Sequence, residues 1–241
     1  MNLAIFLEQV PDGDGTWWEM LASGLGWTLG AAFFAWIIAF TLGSIVGVVR
    51  TADKPWLVHA GNAYVELFRN IPLIVQFFVW YFVVPGLIPA VKVWVVTLDP
   101  TEHQFVTAVV CLGLFTSARI SEQVRSGIQS LSQGQRNAGY AIGLTQTQTY
   151  RYVLLPMAYR IIIPPLTSEV MNLIKNTAVA YSIGLTELFF RTREMGEMTF
   201  RYFEAFAAAT LVYMVIAMSA NRVMALIERR VAVPGYIAGG K

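Results

Sequence analysis

Long apolar runs, separated by short polar stretches, are the dominant pattern of this chain. Residues 20–49 contain no charged side chain, and two tryptophans, Trp27 and Trp36, stand within them. A helix that crosses a bilayer needs about 20 mainly apolar residues, because only a fully hydrogen-bonded backbone is tolerated in hydrocarbon. The pattern therefore predicts a membrane-spanning helix over Met20–Val49.

Four later runs have the same character, although charged residues interrupt two of them. The second run carries Glu66 and Arg69 in its first half, and the fourth carries Glu169 and Lys175. The further predicted spans are Asn70–Val91 with an extension back to about Trp56, His103–Ala118, Ile161–Thr186 and Ala205–Asn221. The chain is thus predicted to be an all-α integral membrane protein with about five transmembrane helices.

The basic residues beside the spans predict the orientation, since Lys and Arg accumulate on the cytoplasmic side. With the N-terminus outside and the C-terminus inside, most of the seventeen basic residues fall in cytoplasmic segments. The predicted layout is a periplasmic segment over 1–19, a transmembrane domain over 20–230 with a long cytoplasmic loop over 119–160, and a cytoplasmic tail over 231–241.

The composition agrees with a membrane protein and excludes several functions. Hydrophobic residues make up 56% of the chain and charged residues 13%, whereas soluble domains average about 25% charged residues. A net charge of +2 does not suggest nucleic acid as a partner. The one cysteine, Cys111, excludes an internal disulfide, and His59 and His103 lack any neighbouring ligand spacing, so we expect no metal site and no catalytic residue. The acidic residues of 1–19, without Lys or Arg, are unlike a cleavable signal sequence.

The polar loop over 119–160 has its own helical pattern. Residues 132–142 predict a helix, and Gly143 is a plausible stop because glycine tolerates the left-handed conformation that closes a helix. Thr145 and Gln148 have the spacing of a capping box, which predicts a second helix running to about Leu155. Pro156 then either ends that helix or opens the next span. Two short helices that meet at a glycine form a compact knob suited to docking a soluble partner.

A motif in this loop resembles a known family signature. Asn137-Ala138-Gly139, three residues, Gly143, nine residues and Val153-Leu154-Leu155-Pro156 follow the spacing of the EAA signature of ABC-importer permeases, Glu-Ala-Ala-x3-Gly-x9-Ile-x-Leu-Pro. The residues match in part, since Asn137 replaces Glu, Gly139 replaces Ala and Val153 replaces Ile. The resemblance implies that this loop couples the chain to an ATPase. The coupling residues it implies are Asn137, Ala138, Gly139, Gly143, Leu155 and Pro156.

Other stretches resemble the polar-amino-acid branch of these importers, and glutamate/aspartate permeases most of all. They include 66–73, Gly134-Gln135, Pro164-Pro165 and Lys175-Asn176-Thr177, and the likeness runs from about residue 17 to Pro234-Gly235. The resemblance implies a type I ABC importer permease fold in the inner membrane. It also implies a second permease subunit, identical or different, two ATPase subunits, a periplasmic substrate-binding protein and an amino-acid substrate. This chain has no Gly-x4-Gly-Lys-Ser/Thr phosphate loop, so no nucleotide cofactor is expected on it and ATP hydrolysis would lie on a partner.

Polar residues within the predicted spans are candidates for the substrate path, because ionisable groups in a membrane are costly and usually face protein or water. Glu66 and Arg69 share a helical face and could equally neutralise each other. Polar residues of the fourth span share a second face, which could instead serve subunit packing. Lys175 is the candidate cation for an acidic substrate. The predicted path residues are Glu66, Arg69, Glu169, Asn172, Lys175 and Asn176.

Two other classes of function are alternatives to the importer. An ion-coupled secondary transporter or channel for small polar solutes often shows internal repeats and paired broken helices. The sequence shows neither, and five spans would be few for such a protein. A non-transporting membrane scaffold has no need of charged residues such as Glu169 and Lys175 within a span.

Overall fold

The computed structural model describes residues 3–11, 13 and 15–231, and its regular structure there is helical apart from one isolated β-bridge between Gln9 and Thr16. This confirms the predicted all-α class. The predicted tail over 231–241 lies, after its first residue, outside the described residues. The α-helices are α1 (Trp17–Val49), α2 (Pro55–Asn70), α3 (Leu73–Phe78), α4 (Val84–Leu87), α5 (Pro89–Val96), α6 (Pro100–Gln129), α7 (Gln133–Ala141), α8 (Gln146–Thr149), α9 (Leu155–Asn176), α10 (Leu188–Thr199) and α11 (Tyr202–Val231). Helices of the 3₁₀ type cover Leu3–Leu7 and Thr177–Ile183, and π-helical turns cover Val79–Val83 and Tyr150–Leu154.

Three helices, α1, α6 and α11, are long and apolar enough to cross a membrane. They have 33, 30 and 30 residues, so the third and fifth predicted spans were too short. At a rise of about 1.5 Å per residue, 30 residues extend about 45 Å, the thickness of a bilayer with its headgroups. The helices therefore continue past the charged residues at which the predicted spans ended.

The second predicted span is broken rather than continuous. Helix α2 and residues 73–87 pass the same apolar test only as a pair, with a bend of 102° at the break between them. Pro72 lies at this break with extended backbone angles, φ −55° and ψ 138°. A proline lacks the N–H that a continuous helix needs and forces its predecessor out of the helical region. The prolines of this run thus mark helix boundaries, and Pro89 is the first residue of α5.

The fourth predicted span, Ile161–Thr186, has different helix bounds in the structure. It comprises most of α9 and the 3₁₀ helix Thr177–Ile183, which closes at Gly184 with φ 90°. Helix α9 carries Arg160, Glu169 and Lys175 in 22 residues and is not among the helices apolar enough to span. By length and composition the described chain therefore has three spanning helices, or four if the bent pair is one span, where the sequence predicted about five.

Contacts divide the chain into two units. The first unit comprises the described residues of 1–37 together with 71–113 and 172–218. The second comprises 38–70, 114–171 and the described residues of 219–241. Helices α1, α6, α9 and α11 contribute residues to both units.

The first unit is built on a buried apolar cluster. Its members are Ile5, Trp17, Leu21, Leu188, Met195 and Ala205, which bring together the N-terminal segment, α1, α10 and α11. The side chain of Trp17, at the start of α1, is almost fully buried there. Burial of a large aromatic side chain contributes on the order of 2–3 kcal/mol. The N-terminal segment, predicted as an extramembrane extension, is therefore packed against this unit.

The second unit is packed through small residues. A Cβ atom on Gly43 would lie 2.7 Å from the carbonyl oxygen of Ser117, and one on Gly47 would lie 2.6 Å from Cβ of Val124. The four-residue spacing puts both glycines on one face of α1. Small residues at such an interface let two helix backbones approach closely, which is the main packing device of membrane proteins. Helices α1 and α6 are in close contact here.

Candidate functional site

The second unit contains a cavity of about 300 Å³ lined largely by polar side chains. This volume is at the lower end of the roughly 300–1,000 Å³ found for small-molecule sites. The lining residues are Arg69, Arg119, Glu122, Gln123, Ser126 and Glu169. We call this cavity the charged pocket. It contains two of the predicted path residues, Arg69 and Glu169.

Glu169 enters the charged pocket from α9 and is held by Arg119 of α6. Nε of Arg119 donates to Oε2 of Glu169 at 2.7 Å, and Nη2 donates to Oε1 at 3.2 Å. The carboxylate is buried, whereas the guanidinium is 42% exposed. A two-pronged pair of this kind is the strongest arginine–carboxylate geometry. This pair compensates the buried negative charge of Glu169, which lies within the fourth predicted span.

Glu122 accepts from two arginines through a single oxygen atom. Nη2 of Arg50 lies 2.9 Å and Nη1 of Arg69 lies 3.0 Å from Oε1 of Glu122. Arg50 is buried, and Arg69 is 52% exposed. The alternative in which Glu66 neutralises Arg69 is not what the structure shows, because Arg69 pairs with Glu122 of α6.

Arg50 connects several polar side chains of the second unit through its guanidinium group. Besides Glu122, it donates to Oδ1 of Asn62 at 2.8 Å and to Oγ of Ser121 at 3.2 Å. Its side chain packs over Gly61, where an added Cβ would lie 2.5 Å from Cγ of Arg50. In the sequence Arg50 directly follows the first predicted span, as one of the basic residues beside the spans. The available signal was its position at the end of a 30-residue uncharged run, followed by a glycine on the next helix.

The remaining predicted path residues are elsewhere. Glu66 and Lys175 are exposed, and neither takes part in an ion pair within the described part of the chain. Asn172 and Asn176 are partly buried members of the first unit. None of the four lines the charged pocket. Conversely, Arg119 and Glu122 were missed, because the third span was ended at Ala118 and their three-residue spacing on one helix face was not considered.

The predicted knob forms in the second unit as α7, a turn and α8. We call residues 133–149 the coupling knob. Gly143 adopts φ 83°, the left-handed conformation expected of a helix stop. Thr145 forms the predicted capping box, since its N–H donates to Oε1 of Gln148 at 2.9 Å and its Oγ1 accepts from the N–H of Gln148 at 3.3 Å. Both local predictions are confirmed.

The signature residues have distinct surroundings in the knob. Asn137 and Ala138 are exposed, whereas Gly139 is buried. A Cβ on Gly139 would lie 2.8 Å from Cγ2 of Thr149, which explains the glycine where the family signature has alanine. The second helix does not stop at Pro156. A π-helical turn over 150–154 carries the chain directly into α9, of which Leu155 and Pro156 are the first two residues.

A separate polar centre lies in the first unit around Glu187, which is fully buried. Its carboxylate caps α10 by accepting from the N–H groups of Phe189 at 2.9 Å and Phe190 at 2.8 Å. The hydroxyls of Tyr213 and Thr28 donate to it at 3.1 and 3.4 Å. Burial raises the pKa of Glu187 to about 7, and these hydrogen bonds offset part of that effect.

The charged pocket has the chemistry to bind a small charged solute. Arg69 and Arg119 are each about half exposed and present guanidinium groups to the cavity. Guanidinium groups match carboxylates in geometry and keep their charge at any physiological pH. Glu122 and Glu169 balance them, so a solute carboxylate would have to compete with protein carboxylates already in place. The site is suited to transient rather than tight binding.

The described helices, the broken second span and a polar cavity between helices define a multi-pass membrane transport subunit. Three comparisons agree with this. Residues 39–233 match the family of binding-protein-dependent transport system inner membrane components. The chain is 48% identical over 240 residues to the glutamate/aspartate import permease protein GltJ of Escherichia coli K12, covering 99% of this chain and 98% of that protein. It is also 32% identical to the permease protein GltK of E. coli O6:H1, over 88% of this chain and 93% of that one.

Solved structures support the same fold. An amino acid ABC transporter crystallised with histidines matches with a TM-score of 0.75 and 27% identity, over 89% of this chain and 95% of that one. The MetNI methionine ABC transporter matches with a TM-score of 0.65 at 22% identity, over 90% of this chain and 94% of that one, and shows the fold alone. The chain belongs to the family of inner-membrane components of binding-protein-dependent transport systems and has the type I ABC importer permease fold.

Proposed function

We propose that this chain is a permease subunit of an ATP-driven importer for glutamate and aspartate. The observation that carries the proposal is the 48% identity over nearly the whole chain to a glutamate/aspartate import permease. Permease proteins named for glutamine and L-cystine are less similar, at 34% and 32%. The half-exposed guanidinium groups of the charged pocket fit a substrate with a second carboxylate.

The importer would contain a second permease subunit, two ATPase subunits and a periplasmic substrate-binding protein. Two different E. coli glutamate/aspartate permease proteins, GltJ and GltK, are similar to this chain, and the similarity to GltJ is the greater. We therefore favour a heterodimer with a GltK-like chain over a homodimer. The chain would lie with its N-terminus outside and its C-terminus inside, which places the coupling knob in the cytoplasm.

The coupling knob is the proposed docking site for an ATPase. Its surface exposes Asn137 and Ala138 of the signature next to two large side chains, Tyr140 and Ile142. Ile142 is 76% exposed, at the tip where the backbone turns into Gly143. Clustered exposed apolar side chains on a polar loop are typical of a protein–protein contact. ATP hydrolysis would then take place on the docked subunit, and this chain would convert it into alternating access.

The substrate path is proposed to pass the charged pocket, with Arg69 and Arg119 meeting the substrate carboxylates. Glu169 would hold Arg119 in place until the substrate arrives, since their two-pronged pair is the strongest contact of the pocket. Lys175, with its neighbours Asn172 and Asn176, remains a proposed second contact. Glu66, which is exposed and lies outside the pocket, is proposed as a further residue of the path.

Reconstitution tests the proposed substrate. The chain would be co-expressed with the permease, ATPase and binding-protein genes of its own operon and placed in proteoliposomes containing ATP. We expect ATP-dependent uptake of labelled glutamate that is inhibited by aspartate and not by histidine or methionine. Uptake confined to a neutral or basic amino acid would contradict the proposed substrate and leave the family assignment intact.

Substitution tests the path residues. We expect Arg119→Gln and Lys175→Met each to lower glutamate uptake while the complex still assembles and hydrolyses ATP. Arg193→Gln is the control, because Arg193 pairs with Glu197 on the exposed face of α10. Wild-type uptake in Arg119→Gln would exclude the charged pocket from the path, and wild-type uptake in Lys175→Met would exclude Lys175.

Reporter fusions test the orientation. A reporter inserted after residue 140 should be cytoplasmic and one near residue 195 should be periplasmic. The same location for both reporters would contradict the proposed layout.

A further inference from the structure

The turn between α1 and α2 is in direct contact with the end of the coupling knob. The hydroxyl of Tyr150, just after α8, donates to the carbonyl oxygen of Thr51 at 2.8 Å. Nε2 of Gln146 donates to Oδ2 of Asp53 at 2.6 Å. Nothing in the signature motif calls for contacts with a turn almost 100 residues earlier in the chain. The knob is therefore attached to the α1–α2 turn as well as to α9.

Tyr150 is well placed to transmit movement of the knob. Its side chain is buried, and the guanidinium of Arg136 in α7 lies 5.9 Å from the centre of its ring. One side of Tyr150 thus contacts the knob, and its hydroxyl holds Thr51. Arg50 directly precedes Thr51 in the chain, so a displacement of Thr51 displaces Arg50.

Arg50 connects that turn to the charged pocket through its hydrogen bonds. Three partners, Asn62, Ser121 and Glu122, fix its buried guanidinium. The same oxygen of Glu122 also accepts from Arg69. Arg50 is held on several sides and Arg69 is held on one, so Arg69 is the partner that Glu122 can release.

We propose that Tyr150, Thr51 and Arg50 form a relay that carries movement of the coupling knob to Arg69. In the arrangement seen here, Glu122 holds both arginines and Arg69 is occupied. When the knob moves with a docked ATPase, Tyr150 shifts the α1–α2 turn, and Arg50 draws Glu122 away from Arg69. Arg69 is then free to pair with a carboxylate of the substrate. Arg50 and Tyr150 are thus positioning residues for transport, and the inference rests on the proposed docking of an ATPase at the knob.

The relay predicts a coupling defect without loss of assembly. Tyr150→Phe removes only the hydroxyl that holds Thr51. In the reconstituted complex we expect the ATPase to co-purify as in wild type, while the glutamate imported per ATP hydrolysed falls at least about fivefold, the lower end of the usual range of allosteric coupling. Tyr152→Phe is the matched control, since Tyr152 lies in the same π-helical turn, is 63% exposed, and its hydroxyl donates no hydrogen bond to a described residue. Its ratio of import to hydrolysis should be that of wild type.

A second pair of variants separates the relay from the docking proposal. Gly143→Asp penalises the left-handed turn and places a charge at the knob tip, so it should reduce co-purification of the ATPase or uncouple the complex. Arg50→Lys keeps the charge but loses the guanidinium group that binds three partners. We expect it to lower the glutamate imported per ATP hydrolysed as much as Tyr150→Phe does. If Tyr150→Phe and Arg50→Lys transport with the wild-type ratio while Gly143→Asp is defective, docking stands and the relay is wrong. If Gly143→Asp also transports and assembles as wild type, the docking proposal itself fails.

Discussion

The two units hold their buried carboxylates in opposite ways. In the first unit, Glu187 is surrounded by backbone N–H groups and hydroxyls, and no cation within the described residues pairs with it. In the second unit, the buried Glu169 and the partly exposed Glu122 are paired with Arg119 and Arg69, which also line a cavity. Neutral donors fixed by the backbone cannot leave, whereas a half-exposed guanidinium can change partner.

This difference distinguishes a structural centre from the proposed substrate site. Glu187 ties α10 to Thr28 of α1 and Tyr213 of α11, so its contacts stabilise the first unit. The arginine-paired carboxylates contribute little net stability, because desolvation of both charges offsets their attraction. In the proposed transport cycle, these pairs keep the arginines charged and able to exchange a protein carboxylate for a substrate carboxylate. Three predictions test this contrast, from the largest expected effect to the smallest.

Replacement of Glu187 by alanine should be the most damaging change. It leaves two backbone N–H groups and two hydroxyls without an acceptor, and each unsatisfied buried group costs about 1–3 kcal/mol. We expect a loss on the order of 3 kcal/mol, measured as a lower melting temperature of the purified complex. Glu197→Ala is the matched control on the same helix, since it removes an exposed pair with Arg193 worth about 0.2–1 kcal/mol at most. Equal melting temperatures for the two variants would contradict the structural role of Glu187.

The pH dependence should follow the raised pKa of Glu187. The pKa of Glu187 is raised from its ordinary value of 4.5 to about 7 in the folded protein, so the folded state binds the proton more tightly than the unfolded state does. The resulting stabilisation is complete below pH 4.5, declines as the pH rises and is lost above about pH 7. Melting temperatures measured between pH 5 and 8 should therefore fall in wild type and fall less in Glu187→Gln. A wild-type slope in Glu187→Gln would show that Glu187 does not titrate in this range.

Gly61→Ala should have a smaller effect, confined to the second unit. The new Cβ would lie 2.5 Å from Cγ of Arg50 and displace it from its partners. Overpacking of this kind costs about 1–3 kcal/mol, and the relay predicts that transport falls as well. Gly26→Ala is the control, because no atom lies within 4 Å of its Cβ position and alanine favours a helix by up to about 1 kcal/mol. Equal loss of transport in Gly26→Ala and Gly61→Ala would contradict the proposed role of Arg50 and its packing over Gly61.

Local signals in the sequence predicted local structure well. The apolar runs located α1, α6 and α11 because hydrocarbon accepts only a continuous helix of sufficient length. Gly143 and the Thr145 capping box were located within the knob, since a left-handed turn and a helix start depend on neighbouring residues alone. The spacing of the EAA-type motif pointed to the family that the comparisons show.

Pairings between distant residues could not be predicted in the same way. Glu66 and Arg69 share a face of α2 by helical periodicity, but Arg69 pairs with Glu122, which is 53 residues away. The sequence predicted one long span over Pro72 and the two prolines after it, yet the structure has a bend of 102° at Pro72, an angle that the apolar pattern does not encode. A run of apolar residues carries no information on such partners.

The sequence alone determined that the chain is helical, enters a membrane and carries a motif with the spacing of the EAA signature, because hydropathy, glycine and capping residues act over one or two helical turns. Only the tertiary structure decided that Arg50 is a buried link instead of a basic residue at a span end. It also decided that Glu187, at the start of α10, accepts hydrogen bonds from backbone N–H groups and hydroxyls. The same holds for Tyr150, whose hydroxyl attaches the knob to the α1–α2 turn. A buried charge is stabilised by whichever donors the fold brings within about 3 Å, and that proximity depends on how the helices pack.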